Sequence, residues 1–262
     1  MADVSIHSVA VEREDHPLQM DRVIDETTTP VEPPRKPSAI RWAWEWTKSL
    51  LIAFVLFLLV RTFLVEAFRI PTGSMENTLL VGDFLLVNKA VFGAEVPLLH
   101  RHLPAFAQPR RGEVIVFVPP HDPTKNYVKR LVGLPGDTLE MRGKVLYRNG
   151  RKQVENYVRH SGLGDTYTAG MNWQCRYRPA DARGRCRPTR DSWGPVVVPD
   201  NHYLVLGDNR DDSEDSRYWG FVERSALRGR PLFIYYSFDA SRLRPVPWLT
   251  EIRWNRIGGA VS

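Results

Sequence analysis

Two polar residues stand where hydrolytic chemistry could begin. Ser74 follows Pro71-Thr72-Gly73 and precedes Met75. Proline fixes φ ahead of the turn and glycine permits a close backbone approach, so the hydroxyl can stand clear of the chain. Lys129 lies in Tyr127-Val128-Lys129-Arg130-Leu131-Val132, an otherwise apolar, strand-like segment. Strand alternation puts Tyr127, Lys129 and Leu131 on one face and Val128, Arg130 and Val132 on the other. A serine that attacks a carbonyl needs a base to accept its proton. A lysine among apolar neighbours loses hydration, its pKa falls from about 10.4, and in the neutral form it can be that base. The Ser74 amide and the Thr72 hydroxyl are nearby donors for a developing oxyanion. Taken singly, each motif has an ordinary alternative: a Gly-Ser surface turn, and a strand lysine that snorkels to solvent.

The elements that must position these residues are a membrane helix and a set of short strands. Leu50–Val60 is an uninterrupted apolar run, shorter than the roughly 20 residues that span a bilayer core. Lys48 and Arg61 can snorkel, Phe63, Leu64 and Val65 extend the apolar face, and Trp42, Trp44 and Trp46 suit an interfacial belt. Residues 41–66 are therefore expected to be a transmembrane signal-anchor. A buried core helix and a cleaved signal peptide are the alternatives, and the run starts too deep in the chain for the latter. Arg35, Lys36, Arg41 and Lys48 precede the helix while only Arg69 follows closely beyond Arg61, so the N-terminus is expected in the cytoplasm and the body on the exported side. Downstream, 84–87, 113–118, 127–132, 144–147, 203–206 and 232–236 read as short strands between Pro, Gly and Asp turns. The fold class expected for 67–262 is mainly β, an antiparallel sheet domain.

Charge and composition narrow the partners. The chain of 262 residues is 43% hydrophobic and carries a formal charge of +6. Residues 1–40 hold eight acids against four bases, which gives −4 and leaves +10 for the rest. With its prolines and lack of apolar periodicity, 1–40 reads as a disordered tail. A basic body fits nucleic acid or an anionic lipid surface; beside a membrane segment the bilayer is favoured and no nucleic acid is expected. Segment 150–195 reads as a polar, Arg-rich surface insertion around Cys175 and Cys186. Those cysteines lack the spacing of a zinc site; a local disulfide is plausible in an oxidising compartment, two free thiols otherwise.

Four ordered stretches together closely resemble the boxes of bacterial type I signal peptidases. They are Ile70-Pro71-Thr72-Gly73-Ser74-Met75, Gly82-Asp83, Lys129 through Asp137 (KRLVGLPGD), and Gly207 through Arg217 (GDNRDDSEDSR), with Arg256-Ile257-Gly258-Gly259 also fitting. The resemblance runs from about residue 50 to the C-terminus and leaves 1–45 and 150–195 uncovered. It implies a Ser/Lys-dyad endopeptidase with no metal or cofactor, acting on preprotein signal peptides after Ala-x-Ala type sites at the inner membrane, near the secretion translocon. Ser74 is implied as nucleophile, Lys129 as general base, Ser213 as the serine that hydrogen-bonds and orients the lysine, and Thr72 as an oxyanion donor where many members have serine. Arg130, Asp208, Arg210, Asp215 and Arg217 match charged residues that brace the site through ion pairs. Phe68, Ile70, Met75, Leu79, Tyr127 and Val128 match the lining of two shallow pockets for small side chains, though each could instead be ordinary core, Leu79 equally so. Many Gram-negative members carry two membrane helices; this chain has one apolar run.

Other readings fit less well. A Ser/His/Asp hydrolase would need His202 and Asp208 to reach Ser74. A calcium loop from Asp208 would need Asp or Asn at 210, glycine at 213 and glutamate at 219, where the chain has Arg210, Ser213 and Trp219. A self-cleaving repressor shares the Ser/Lys logic but not the anchor and the complete acidic box. A membrane-tethered binding module using the arginines on lipid or nucleic acid is the alternative of a different class.

Overall fold

The computed structural model describes residues 39–93, 95–96, 101–182, 184–241 and 245–261. The expected disordered tail thus falls, up to residue 38, outside the described residues. Two units are distinguished, 1–48 and 49–262. In the first, the described residues are helical. They begin α1 (Ala39–Leu59), which a short π-helical turn over Val60–Leu64 follows. Ile40–Leu64 is 25 residues long and apolar enough to cross a membrane. Leu50, Leu51, Ile52, Phe54 and Phe57 are all exposed, as a helix that is apolar all round requires if lipid is to cover it.

The second unit is built from β-strands, in line with the expected class. Strands β1 (Val65–Arg69), β2 (Asp83–Asn88), β5 (Val114–Phe117), β6 (Tyr127–Gly133), β11 (His202–Leu206), β12 (Val222–Glu223) and β13 (Leu227–Ser237) make one seven-stranded sheet. Its order is β1-β2-β13-β5-β6-β11-β12, with β1 at an edge. A small hairpin of β3 (Glu95–Val96) and β4 (Arg101–His102) stands apart. A four-stranded sheet in the order β10-β7-β8-β9 is formed by β7 (Thr138–Arg142), β8 (Val145–Arg148), β9 (Arg151–Lys152) and β10 (Trp193–Val197). All the ladders within these sheets are antiparallel.

Alternation along β6 builds the interior. Leu131 packs with Ile115, Phe117, Tyr203 and Val205, with Tyr127 at the margin. Val132 points the other way, into a cluster with Leu139, Leu146, Trp193, Val196 and Leu206 that joins the two sheets. A third cluster, of Ile70, Met75, Leu79, Leu85, Val87 and Ile234, lies beneath the Ser74 turn.

Several strands exceed or escape the sequence reading. β13 runs eleven residues, because bulges in its pairing with β2 absorb the irregular stretch around Pro231. Residues 65 and 66, read as the end of the helix, instead begin β1. Segment 150–195 is also not wholly a solvated excursion. It supplies β9, β10 and a 3-10 helix over Ala169–Tyr177, and Arg190 within it is buried. Arg190 can be buried because Asp191 accepts from it at 2.9 Å and the Leu163 and Gly164 carbonyls accept from it at 2.7 Å. Cys175 and Cys186 are joined by a disulfide.

The C-terminal residues fasten the turn that carries Ser74. Asp83 is buried, accepts from Arg256 Nε at 3.0 Å and Ser237 Oγ at 2.7 Å, and receives the Leu80 amide at 2.8 Å. Arg256 also donates to the Thr78 carbonyl at 3.0 Å. Gly82 next to it has φ +92°, and a Cβ there would overlap the Phe238 carbonyl. Asp83→Ala would strand Arg256 together with two further donors, the Ser237 hydroxyl and the Leu80 amide. We expect it to destabilise the protein by about 3–5 kcal/mol, read as a lowered unfolding midpoint by tryptophan fluorescence in detergent; an unchanged midpoint contradicts the assignment.

Candidate active site

Ser74 sits in a 3-10 turn, Gly73–Met75, four residues beyond the end of the edge strand β1. Its amide lies in the first turn of that helix, where N–H groups have no intrahelical acceptor and stay available to an anion. The turn is held from the far side of the chain. Asn209 donates its amide to the Ser74 carbonyl at 3.1 Å and its side-chain Nδ2 to the Gly73 carbonyl at 3.2 Å. Glu76, just beyond Ser74, accepts from Arg159 at 2.6 Å.

Lys129 projects from β6 and donates from Nζ to Ser74 Oγ at 2.7 Å. Its cross-strand neighbour is Ile115, and Tyr127 on the same face places its ring centroid 5.4 Å from Nζ. The lysine is only 4% exposed. Burial lowers its pKa to about 8, against the opposing pull of the Asp215 and Glu214 carboxylates. Thr72 Oγ1 stands 3.5 Å from Ser74 Oγ, within reach of a charge that develops beside that hydroxyl. This arrangement can pass a proton from a hydroxyl to a neutral amine beside two oxyanion donors.

The charged residues form two separate clamps. Arg130 donates from Nε and Nη2 to Asp208 at 2.8 and 2.7 Å, and its guanidinium carbon lies 3.9 Å from the Tyr157 ring centroid. Thr78 adds a 2.6 Å bond to Asp208. Arg217 grips Asp215 through Nε and Nη2, both at 2.8 Å. Burial pushes the Asp215 pKa up, but the Arg217 guanidinium and the Gly207 amide hold it below the ordinary carboxylate value. The Arg210 side chain belongs to neither clamp, although its carbonyl accepts from Arg217 at 2.7 Å; it donates to Glu155 at 2.7 Å and to the Gly207 carbonyl at 3.2 Å.

Ser213 departs from its implied role. Its Oγ is buried and no hydrogen bond joins it to Lys129; it lies instead beside Asp215, whose pKa it helps to hold down. Gly207 lies against the Ser213 hydroxyl, and a Cβ there would overlap both Ser213 Oγ and the Ser74 carbonyl. Among the implied pocket residues, Ile70, Met75 and Leu79 are buried in one cluster, with Phe68 and Val128 partly exposed at its margin. Tyr127, also partly exposed, belongs to the neighbouring cluster. Phe68, Tyr127 and Val128 thus present accessible surface, whereas Met75 and Leu79 are buried. His202 is engaged with the Asp200 carbonyl at 2.7 Å, and none of the histidines with described side chains hydrogen-bonds to Ser74.

Comparison with known proteins bears on this geometry. A family model described as signal peptidase, peptidase S26, matches residues 43–236. Signal peptidase I of Pseudomonas aeruginosa is 37% identical over 79% of this chain and 78% of its own length. The Pseudomonas fluorescens signal peptidase I is 36% identical over the same shares. That of Rickettsia massiliae is 32% identical over 81% of this chain and 91% of its own length.

Gly207→Ala tests the packing between Ser213 and the Ser74 turn. A displacement of about 1 Å at the reacting atoms should lower peptidase activity about a hundredfold, with a stability loss of only about 1–3 kcal/mol. Wild-type turnover in a folded Gly207→Ala variant would contradict the close approach.

Proposed function

The chain belongs to the signal peptidase family, peptidase S26, and from that premise we propose that it is a membrane-bound serine endopeptidase that removes signal peptides from exported preproteins. The observation that carries the reading is the 2.7 Å bond between Lys129 Nζ and Ser74 Oγ inside an apolar surround. As the Ser74 Oγ–carbon bond forms, the hydroxyl proton passes to the neutral Lys129 amine, and the carbonyl oxygen gathers charge between the Ser74 amide and the Thr72 hydroxyl. Lys129 then delivers that proton to the leaving amine as the carbon–nitrogen bond breaks. The same lysine takes a proton from the water that releases the acyl group.

Substrate class follows from shape and place. β1 is an edge strand, so one side of its backbone is unpaired within the sheet, and an extended peptide can pair with such an edge. Phe68 and Val128 are partly exposed and pack against the cluster of buried Met75 and Leu79, which supports a shallow surface that selects alanine-sized residues at the cut. In our reading α1 anchors the enzyme in the inner membrane with the N-terminus cytoplasmic. The β-rich unit then faces the exported side, where signal peptides present their cleavage sites, close to the bilayer and to the secretion translocon. Arg130–Asp208 and Arg217–Asp215 serve as supports that keep Lys129 and the Ser74 turn in register.

Cleavage of a purified preprotein with an Ala-x-Ala junction tests the proposal. Wild type in detergent should cut at that junction, and Lys129→Ala should lose about 10²–10⁴-fold. Because the neutral amine is the reactive form, kcat/KM should climb about tenfold per pH unit below the Lys129 pKa of about 8 and level off above it. A flat profile from pH 5 to pH 9, or equal cleavage by Lys129→Ala, would remove the lysine base.

A further inference from the structure

Burial apart, three carboxylates favour the charged Lys129 amine, Asp215, Glu214 and Asp208, and the Arg217 guanidinium opposes them. Two of the three are already matched by a cation. Arg217 grips Asp215 through Nε and Nη2, and Arg130 grips Asp208 in the same two-pronged way. A carboxylate locked to a guanidinium presents little net charge to a third group nearby. Glu214 is different. Among the described residues its one ion-pair partner is His121, whose Nε2 lies 3.4 Å from Glu214 Oε1. Histidine carries charge only when protonated. Lys125 also faces Glu214, but it is bonded to Asp122 at 2.8 Å.

The histidine decides where that carboxylate stands. His121 belongs to the loop between β5 and β6, and Glu214 to the box that follows β11. The His121 ring meets the Tyr127 ring edge-on, with centroids 5.6 Å apart, and lies 5.7 Å from the Trp219 ring. Its Nε2 is also 3.5 Å from the Tyr127 hydroxyl. The Tyr127 ring in turn has its centroid 5.4 Å from Lys129 Nζ. One imidazole therefore joins the loop and the box directly beside the strand that carries the base. Glu214 is 62% exposed, and an acid of that exposure is ordinarily a solvated surface group. What separates it from one is its place, next to Asp215 in the chain and beside Tyr127 in space, with no guanidinium to cancel its charge.

We propose that Glu214, held by His121, is a positioning residue for the reaction: it favours the protonated form of Lys129 and so sets the lower pH limit of cleavage. The inference rests on the Ser74–Lys129 reading given above. A carboxylate stabilises a nearby ammonium group, so without Glu214 the lysine gives up its proton at lower pH. More of the amine is then neutral below pH 8, and cleavage there becomes faster. Above the limb the amine is neutral in either case, and a less basic lysine accepts the serine proton no faster. The pH profiles of wild type and a Glu214 variant therefore converge or cross. A purely structural role would instead lower the rate by one factor throughout.

The test is kcat/KM for a preprotein with an Ala-x-Ala junction, followed from pH 5 to pH 9 in detergent at low ionic strength. The midpoint of the acid limb should fall by about half a pH unit in Glu214→Gln and by about one unit in Glu214→Lys. At pH 7 this makes Glu214→Gln about two- to threefold faster than wild type, while above the limb it is level or slower. His121→Phe keeps an aromatic ring against Tyr127 and Trp219 but cannot bond the carboxylate, and it should move the midpoint in the same direction. About 1 M salt should bring the wild-type and Glu214→Gln midpoints together, because the field of an exposed carboxylate is screened. NMR titration of the Lys129 side chain in folded Glu214→Gln should show the same fall with no substrate present. A midpoint that stays in place in either variant of Glu214 or in His121→Phe, or a rate lowered by one factor at every pH, would overturn this proposal and leave Lys129 as the base. A flat wild-type profile would overturn both.

Discussion

Burial of one amine is the constraint on which the rest of this structure turns. Lys129 must sit in the sheet to reach Ser74, and there its charged form is disfavoured by on the order of 3 kcal/mol relative to water. That penalty is borne in full where the lysine is protonated both folded and unfolded, below about pH 8. It is relieved as pH rises through the folded pKa, because the unfolded chain holds its proton up to about 10.4. The fold must offset this cost elsewhere. The apolar cluster around Leu131 does so directly, and the Arg217–Asp215 clamp limits it by placing a carboxylate near enough to moderate the shift.

The second requirement is that a turn from one end of the chain meet a strand from its middle. The two residues are brought together by elements far apart in sequence: β2 carries Asp83 to Arg256, and the box after β11 carries Asn209 to the Ser74 carbonyl. Gly207 is the point of closest approach, where the absence of a side chain lets Ser213 and Ser74 share one space. Buried ion pairs of this kind are weak as sources of stability, but removal of one partner is costly. Their value here is positional, since they fix which way the turn and the strand face.

What could be read from the sequence follows the same division. The period-two apolar pattern of 127–132 marked both the strand and the face that holds Lys129, because alternation is a local property. The apolar run and its basic flank marked a span, though the chain reaches β1 already at Val65. Tertiary partners were not legible. Glu155, which receives Arg210, and Arg159, which pairs with Glu76, lie in a polar segment with no periodicity to flag them. Asn209 stood inside a recognised motif, yet its bonds to the Gly73 and Ser74 carbonyls depend on a contact across 135 residues or so, which only the fold supplies. Ser213 was assigned to Lys129 by resemblance and is not hydrogen-bonded to it here; its hydroxyl lies between Gly207 and Asp215. The Arg-rich insertion was read as solvated because its composition is polar; the burial of Arg190 rests on acceptors brought to it from 163, 164 and 191.

The proposed reaction depends on the state of a single amine, and that state can be observed without any substrate. Isotope-labelled lysine in the full chain, titrated by NMR in detergent micelles, reports the Lys129 side chain once assigned by the loss of its signal in Lys129→Ala. A titration centred near pH 8 is expected, set apart from the surface lysines. A Lys129 signal that titrates with the others, near 10.4, would mean that the amine is solvated and charged at working pH, and the Ser74–Lys129 pair could not then begin the reaction.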